Sequence, residues 1–208
     1  MRLHPSPVLL AAALLVTGCG GAGGGSGNGP VTVTLEALPA LVGTIADGGY
    51  VTPQFLGIGD RAPPSAPQIT FRGFLTFDLA ALPPGARVRS ATLTLHQVRV
   101  AGTPYDTLGP MLVDQVVYGT VLEAGAYDRS FPTSQGALLS LDATLGPKLA
   151  DATSQVQADL AANRTLSQWR VRFAVEADGN TSSDQVDLGA PGTSGAATQP
   201  TLAVTYER

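Results

Sequence analysis

The feature that most constrains this chain is a period-two alternation of apolar and polar residues that returns repeatedly from Val31 onward. Val31, Val33 and Leu35 alternate with Thr32, Thr34 and Glu36. Phe71, Leu75, Phe77 and Leu79 share one phase of the next such stretch, and Leu93 and Leu95 alternate with Thr92, Thr94 and His96. Trp169, Val171, Phe173 and Val175 alternate with Gln168, Arg170 and Arg172, and Leu202, Val204 and Tyr206 with Thr201, Ala203 and Thr205. Successive side chains of a strand point to opposite faces, so this pattern predicts strands with one face buried. Residues 111–121 and 137–141 are further strand candidates.

Hydrophobic residues make up 44% of the 208, enough for a sizeable core, and 25 Gly with 16 Pro supply many turns. Short apolar runs joined by such turns predict one all-β domain over residues 31–208. One stretch breaks the period. Leu149, Ala152, Val156 and Leu160 have helical spacing, with Asp151 or Thr153 available as N-cap, which predicts one short amphipathic helix. Residues 57–67, 102–110 and 178–200 are rich in Gly and Pro and read as loops. Pro83-Pro84-Gly85 reads as a tight turn.

Residues 74–95 run FLTFDLAALPPGARVRSATLTL. This stretch resembles the centre of the DNRLRE-type domains, in which a Phe-Asp-Leu strand end leads through a Leu-Pro-x-Gly turn into a Ser-Ala-Thr-Leu-x-Leu strand. Asp151-Ala-Thr-Ser-Gln-Val is similar to that family's helix start, with Ala for the usual Val. Gln199-Pro-Thr-Leu-Ala-Val-Thr-Tyr is similar to its closing strand. The resemblance implies a jelly-roll β-sandwich like those of carbohydrate-binding modules. The matching motifs build the fold and carry no chemistry, so the resemblance bears on function by analogy alone.

The N-terminal residues predict export. Arg2 is followed by an apolar run, Val8 to Val16, far too short for a bilayer of ~30 Å, which needs ~20 residues. The run ends in Val16-Thr17-Gly18-Cys19, which resembles the bacterial lipobox. Residues 1–18 are then a signal peptide and Cys19 is the lipidated N-terminus, an anchor of two or three acyl chains that holds stably. Lipidation also accounts for a lone cysteine in an exported protein. Gly20 stands where aspartate would favour inner-membrane retention, which points to the outer membrane or cell surface. Gly20 to Pro30 is a Gly-rich tether spanning about 20 Å.

Removing Arg2 leaves 11 basic side chains against 16 acidic, a formal charge of −5, with no basic stripe. That balance argues against nucleic-acid partners. His4 leaves with the signal, so every Ser-His-Asp scheme must pass through His96, inside a strand, where a sheet-face role is the simpler expectation. A single His and no free Cys exclude the usual zinc sites. Jelly-roll polysaccharide lyases are an alternative on architecture, but they show Gln-x-His and a Tyr/Lys-rich cleft; here the order is His96-Gln97 and Lys148 is the sole lysine. No pair among Asp106, Asp114, Asp128, Glu176 and Asp178 stands out as glycosidase carboxylates. Asp178-Gly-Asn180-Thr-Ser182 imitates the first ligands of a calcium loop but lacks its glycine and closing glutamate. No cofactor is expected beyond a structural calcium at Asp47 or Asp60.

Sugars are recognised by packing on aromatic faces with polar flanks. Tyr50, Phe55, Tyr105, Tyr127 and Phe131 are the loop aromatics. Tyr105, between Pro104 and Asp106, reads as rigid and exposed, and Tyr127 with Arg129 pairs a ring with a charge suited to an anionic sugar. The expectation is a membrane-anchored, non-catalytic module that binds polysaccharide or other surface material. The alternative is a structural or adhesive module contacting surface proteins.

Overall fold

The computed structural model describes residues 29–62, 67–130, 136–192 and 195–208. The residues expected to form the signal peptide, Cys19 and nearly all of the expected tether lie outside them, as does Phe131. The described chain forms strands β1 (Val31–Glu36), β2 (Gly43–Ala46), β3 (Val51–Pro53), β4 (Leu56–Arg61), β5 (Ile69–Asp78), β6 (Arg87–Ala101), β7 (Met111–Gln115), β8 (Ala137–Ser140), β9 (Gly146–Asp151), β10 (Leu166–Phe173), β11 (Gln185–Leu188) and β12 (Thr201–Glu207). A single turn, α1 (Pro104–Thr107), and one helix, α2 (Thr153–Ala161), interrupt them.

All strand pairings are antiparallel, in the order β1-β12-β6-β11-β4-β5-β10-β7-β8. β9 lies on the free edge of β6, and the β2–β3 hairpin on the free edge of β5. The antiparallel sheet closes around a shared core, the expected all-β sandwich with one short helix. The predicted phase holds inside it: Val33, Leu35, Leu75, Phe77, Leu93, Leu95, Trp169, Val171, Phe173, Leu202, Val204 and Tyr206 share one interior. Val175 is exposed, because the alternation ends at Phe173.

Four local expectations are corrected. Residues 149–151 continue β9 instead of starting the helix, since they pair with Thr92–Thr94 of β6. α2 starts at Thr153, where the Asp151 carboxylate accepts from the Thr153 N–H at 2.9 Å. β4 runs through the Gly-rich stretch read as a loop: Leu56 and Ile58 are fully buried, while Gly57 and Gly59 let β11 approach. A Cβ at Gly59 would sit 2.1 Å from the Asp184 carbonyl oxygen. β11 likewise forms within 178–200. Finally, the strand candidate 111–121 stops at Gln115, and the chain crosses the outside of the sheet instead.

The turn after Leu82 is as expected. The Ala86 N–H bonds to the Pro83 carbonyl at 3.1 Å and Gly85 adopts φ +79°, the type II arrangement with Pro84 first and Gly85 second.

A candidate site under the 116–130 crossover

The outer face of β5, β10 and β7 is where sequence reading and structure part most. Gln168 and Arg170, in the polar phase of β10, are buried, as are Thr76 of β5 and Asp114 of β7. The segment after β7 lies over them. Val116, Tyr118, Ala126 and Tyr127 form a second apolar cluster with Leu41, Ile45 and Phe74, and Tyr118 meets Phe74 edge-on at 5.8 Å.

Polar groups under the crossover are paired in two sets. Gln168 Oε1 accepts from the Tyr118 and Gly119 N–H groups at 2.9 and 3.0 Å, and its Nε2 donates to the Gly119 carbonyl at 2.8 Å. Tyr118 donates its hydroxyl hydrogen to the Leu41 carbonyl at 3.1 Å and pairs with the Thr76 hydroxyl at 2.6 Å; burial pushes its phenol well up. The second set is ionic. Asp114 accepts from Arg170 (Nη2 at 3.2 Å) and from Arg172 (Nε at 2.7 Å). Arg170 Nη1 donates to the Tyr127 and Arg129 carbonyls at 2.9 and 3.1 Å, which ties the crossover to the sheet. Burial lowers the Arg170 guanidinium from its ordinary value, with Asp114 opposing that shift. Arg72 of β5 pairs with Glu176 and with Asp128, and its guanidinium lies 3.8 Å from the Tyr127 ring centroid. That is within cation–π range.

The expected ligand-binding residues are therefore placed as follows. Tyr127 is 7% exposed; Arg72 covers its ring and its hydroxyl is bonded to Thr70. Tyr105 is half-buried in α1, not exposed: its ring packs edge-on against Phe173 at 5.3 Å and its hydroxyl donates to Gln97. Arg129 is exposed and gives its carbonyl to Arg170. The three do not converge, and neither tyrosine presents an open face. Among the described residues the aromatic ring that does is Tyr50, 75% exposed between β2 and β3.

Asp47 and Asp60 flank Thr70 from opposite edges of β5. Two strand spacings put their Cα atoms about 10 Å apart. Both Asp60 oxygens are occupied, one by the Asp184 N–H at 3.1 Å and one by Gln68 at 2.7 Å. Asp60 is buried, and that burial raises its carboxyl, with Asp178 and Asp184 adding to the shift. Asp184, read as part of a loop, holds α1 in place by accepting from the Thr103 N–H at 2.5 Å and the Thr107 hydroxyl at 3.1 Å. Gly102 is required beside it, since a Cβ there would lie 2.1 Å from Asp184 Oδ1. The calcium-loop imitation closes on itself: Asp178 accepts from the Asn180 N–H at 2.9 Å, and Asn180 from the Ser182 N–H at 2.5 Å. Among the described residues no three His, Cys, Asp or Glu side chains are grouped to hold a metal.

His96 projects from the outer face of β6 with Nδ1 buried and, among the described residues, without a hydrogen-bond partner. A general base of the triad type needs an orienting acceptor at that nitrogen. No helix among the described residues is long and apolar enough to cross a membrane. Compared with known proteins, the chain matches no family model and no curated sequence.

Proposed function

We propose that this chain is an extracytoplasmic lipoprotein, anchored to the outer membrane or cell surface through Cys19, whose β-sandwich is a non-catalytic module for polysaccharide or other surface material. One observation carries the non-catalytic reading: the densest cluster of charged side chains, Arg72, Arg170, Arg172, Asp114 and Glu176, is spent on mutual pairing and on fixing the 116–130 crossover. Groups locked in this way build a rigid surface and are not themselves poised as a nucleophile–base pair. The resemblance to DNRLRE-type domains and the lipobox-like Val16–Cys19 stretch support the same reading.

Because the rings of Tyr105 and Tyr127 are engaged, Tyr50 is the aromatic on which a sugar would pack. A glycan array probed with the mature chain carrying Cys19→Ser, which leaves it unlipidated and in solution, tests this. Retention on one or more polysaccharides is expected, weakened about tenfold by Tyr50→Ala, the equivalent of ~1.4 kcal/mol. No retention on any glycan, or retention indifferent to Tyr50, contradicts the glycan reading.

A second reading, a structural or adhesive module with protein partners, is favoured by β8, β9 and the connection between them. Leu138, Leu141, Leu145 and Leu149, all within twelve residues, are 50–67% exposed there. Clustered exposed leucines suit a protein contact better than a sugar.

A further inference from the structure

One end of the sandwich combines a groove, a neutral charge balance and the point where the chain leaves toward its N-terminus. Val31, the first residue of β1, pairs with Tyr206 of β12, and Tyr206 pairs with Val88 of β6. Two strand spacings place the tether exit about 10 Å from Val88. Val88 lies in the wall of an open groove of ≈760 Å³ between the Leu82–Ala86 turn and the C-terminal end of α2. Leu79, Leu82 and Leu160 form its apolar floor, and Pro84, exposed at the tip of the turn, stands at its mouth with Arg87 and Arg164 on the rim.

The charges at the two ends differ. Around the groove Arg87, Arg89 and Arg164 are balanced by Asp78, Asp159 and Glu207; Arg89 pairs with Glu207 at 2.5 Å and Arg164 with Asp159 at 2.8 Å. The opposite end gathers Asp47, Asp60, Asp106, Glu176, Asp178 and Asp184 against Arg61 and Arg72. A bilayer bearing anionic lipid repels that acidic end and leaves the groove end free to approach.

We propose that the groove end is a membrane-docking surface, with the exposed tip of the Leu82–Ala86 turn seated in the headgroup region of an anionic bilayer. The inference rests on the anchored reading, because the acyl chains on Cys19 bring this end within the ~20 Å reach of the tether. The tether alone leaves orientation free; the charge difference between the two ends selects one. Seating of this kind buries an apolar surface about 5–10 Å into the headgroup boundary, with arginine side chains reaching lipid phosphates.

The test uses the lipidated full mature chain in vesicles of phosphatidylethanolamine and phosphatidylglycerol. An environment-sensitive fluorophore is attached through Pro84→Cys in one sample and Asp106→Cys in another, the Cys19 thiol being blocked by its lipid. Nitroxide-headgroup lipids are expected to quench the Pro84 label several-fold more than the Asp106 label, and the difference shrinks when phosphatidylcholine replaces phosphatidylglycerol. Equal quenching of the two labels on protein whose mass shows a lipidated Cys19 overturns docking and leaves the anchor standing. An N-terminus without lipid overturns the anchored reading and docking with it.

Discussion

Asp114 is buried and accepts from two guanidinium groups, those of Arg170 and Arg172. Removing one member of a buried pair leaves an uncompensated charge, which costs about 3–5 kcal/mol. Asp114→Asn is therefore expected to lower stability by that amount in denaturant unfolding. Arg99→Ala breaks an exposed pair with Asp187 and is expected to stay within about 1 kcal/mol of the parent. Equal effects would show that the 116–130 crossover does not exclude water from Asp114. These roles were illegible in the sequence for a physical reason. Arg170 occupies the polar phase of its strand, and alternation reads the same whether that face meets water or a covering segment. The cover comes from residues more than 40 positions away, beyond any local pattern. A weak signal was present: Arg170 and Arg172 put two arginines at alternate positions of one short strand, in a chain in which only 13% of residues are charged.

Among the elements, those whose alternation is long and regular were legible. β6, β10 and β12 place their apolar phase in the shared core as expected, and β1 does so at Val33 and Leu35, while Val31 at its start is exposed. β2, β3 and β4 were not legible, because strands of three to six residues containing Gly or Pro resemble loops. The helix was found with its start misplaced, because Leu149 fits the helical spacing while its backbone hydrogen bonds belong to β6. Two glycines separate turn chemistry from packing. Gly85 has open space around it, so Gly85→Ala is expected to cost about 1 kcal/mol through its positive φ alone. Gly59→Ala also drives a methyl group into the Asp184 carbonyl, and is expected to cost over ~3 kcal/mol or abolish folding. Thermal unfolding of the two variants checks the contrast. Similar losses would mean that β4 and β11 do not approach as described.

Across the whole molecule, two kinds of carboxylate give opposite dependences of stability on pH. Burial raises Asp60 and Asp159, so the folded state holds these protons longer than the unfolded chain. Their effect is a loss of stability as pH rises from about 4, the ordinary carboxylate value, through the raised one. Asp142, held down to about 2 chiefly by Lys148, and Asp151 and Glu207, held low by Thr153 and Arg89, act in reverse. Their contribution is present above the ordinary carboxylate value and is lost as pH falls through the lowered one. Asp60→Asn is expected to flatten the decline on the rising side and leave the acid limb unchanged, as followed by unfolding midpoints between about pH 3 and 7. A variant that keeps the parent's slope would show that Asp60 titrates as a solvated acid.

The fold class could be read from periodicity, whereas the anchor rests on four residues before the domain. The most direct measurement is the intact mass of the N-terminal peptide from membrane-extracted protein, compared between the parent chain and Cys19→Ser. The account predicts a chain beginning at Cys19 with a diacylglyceryl group, and a Cys19→Ser form recovered from the soluble fraction without lipid. A parent peptide lacking lipid, or a Cys19→Ser form still extracted with the membrane, would contradict it.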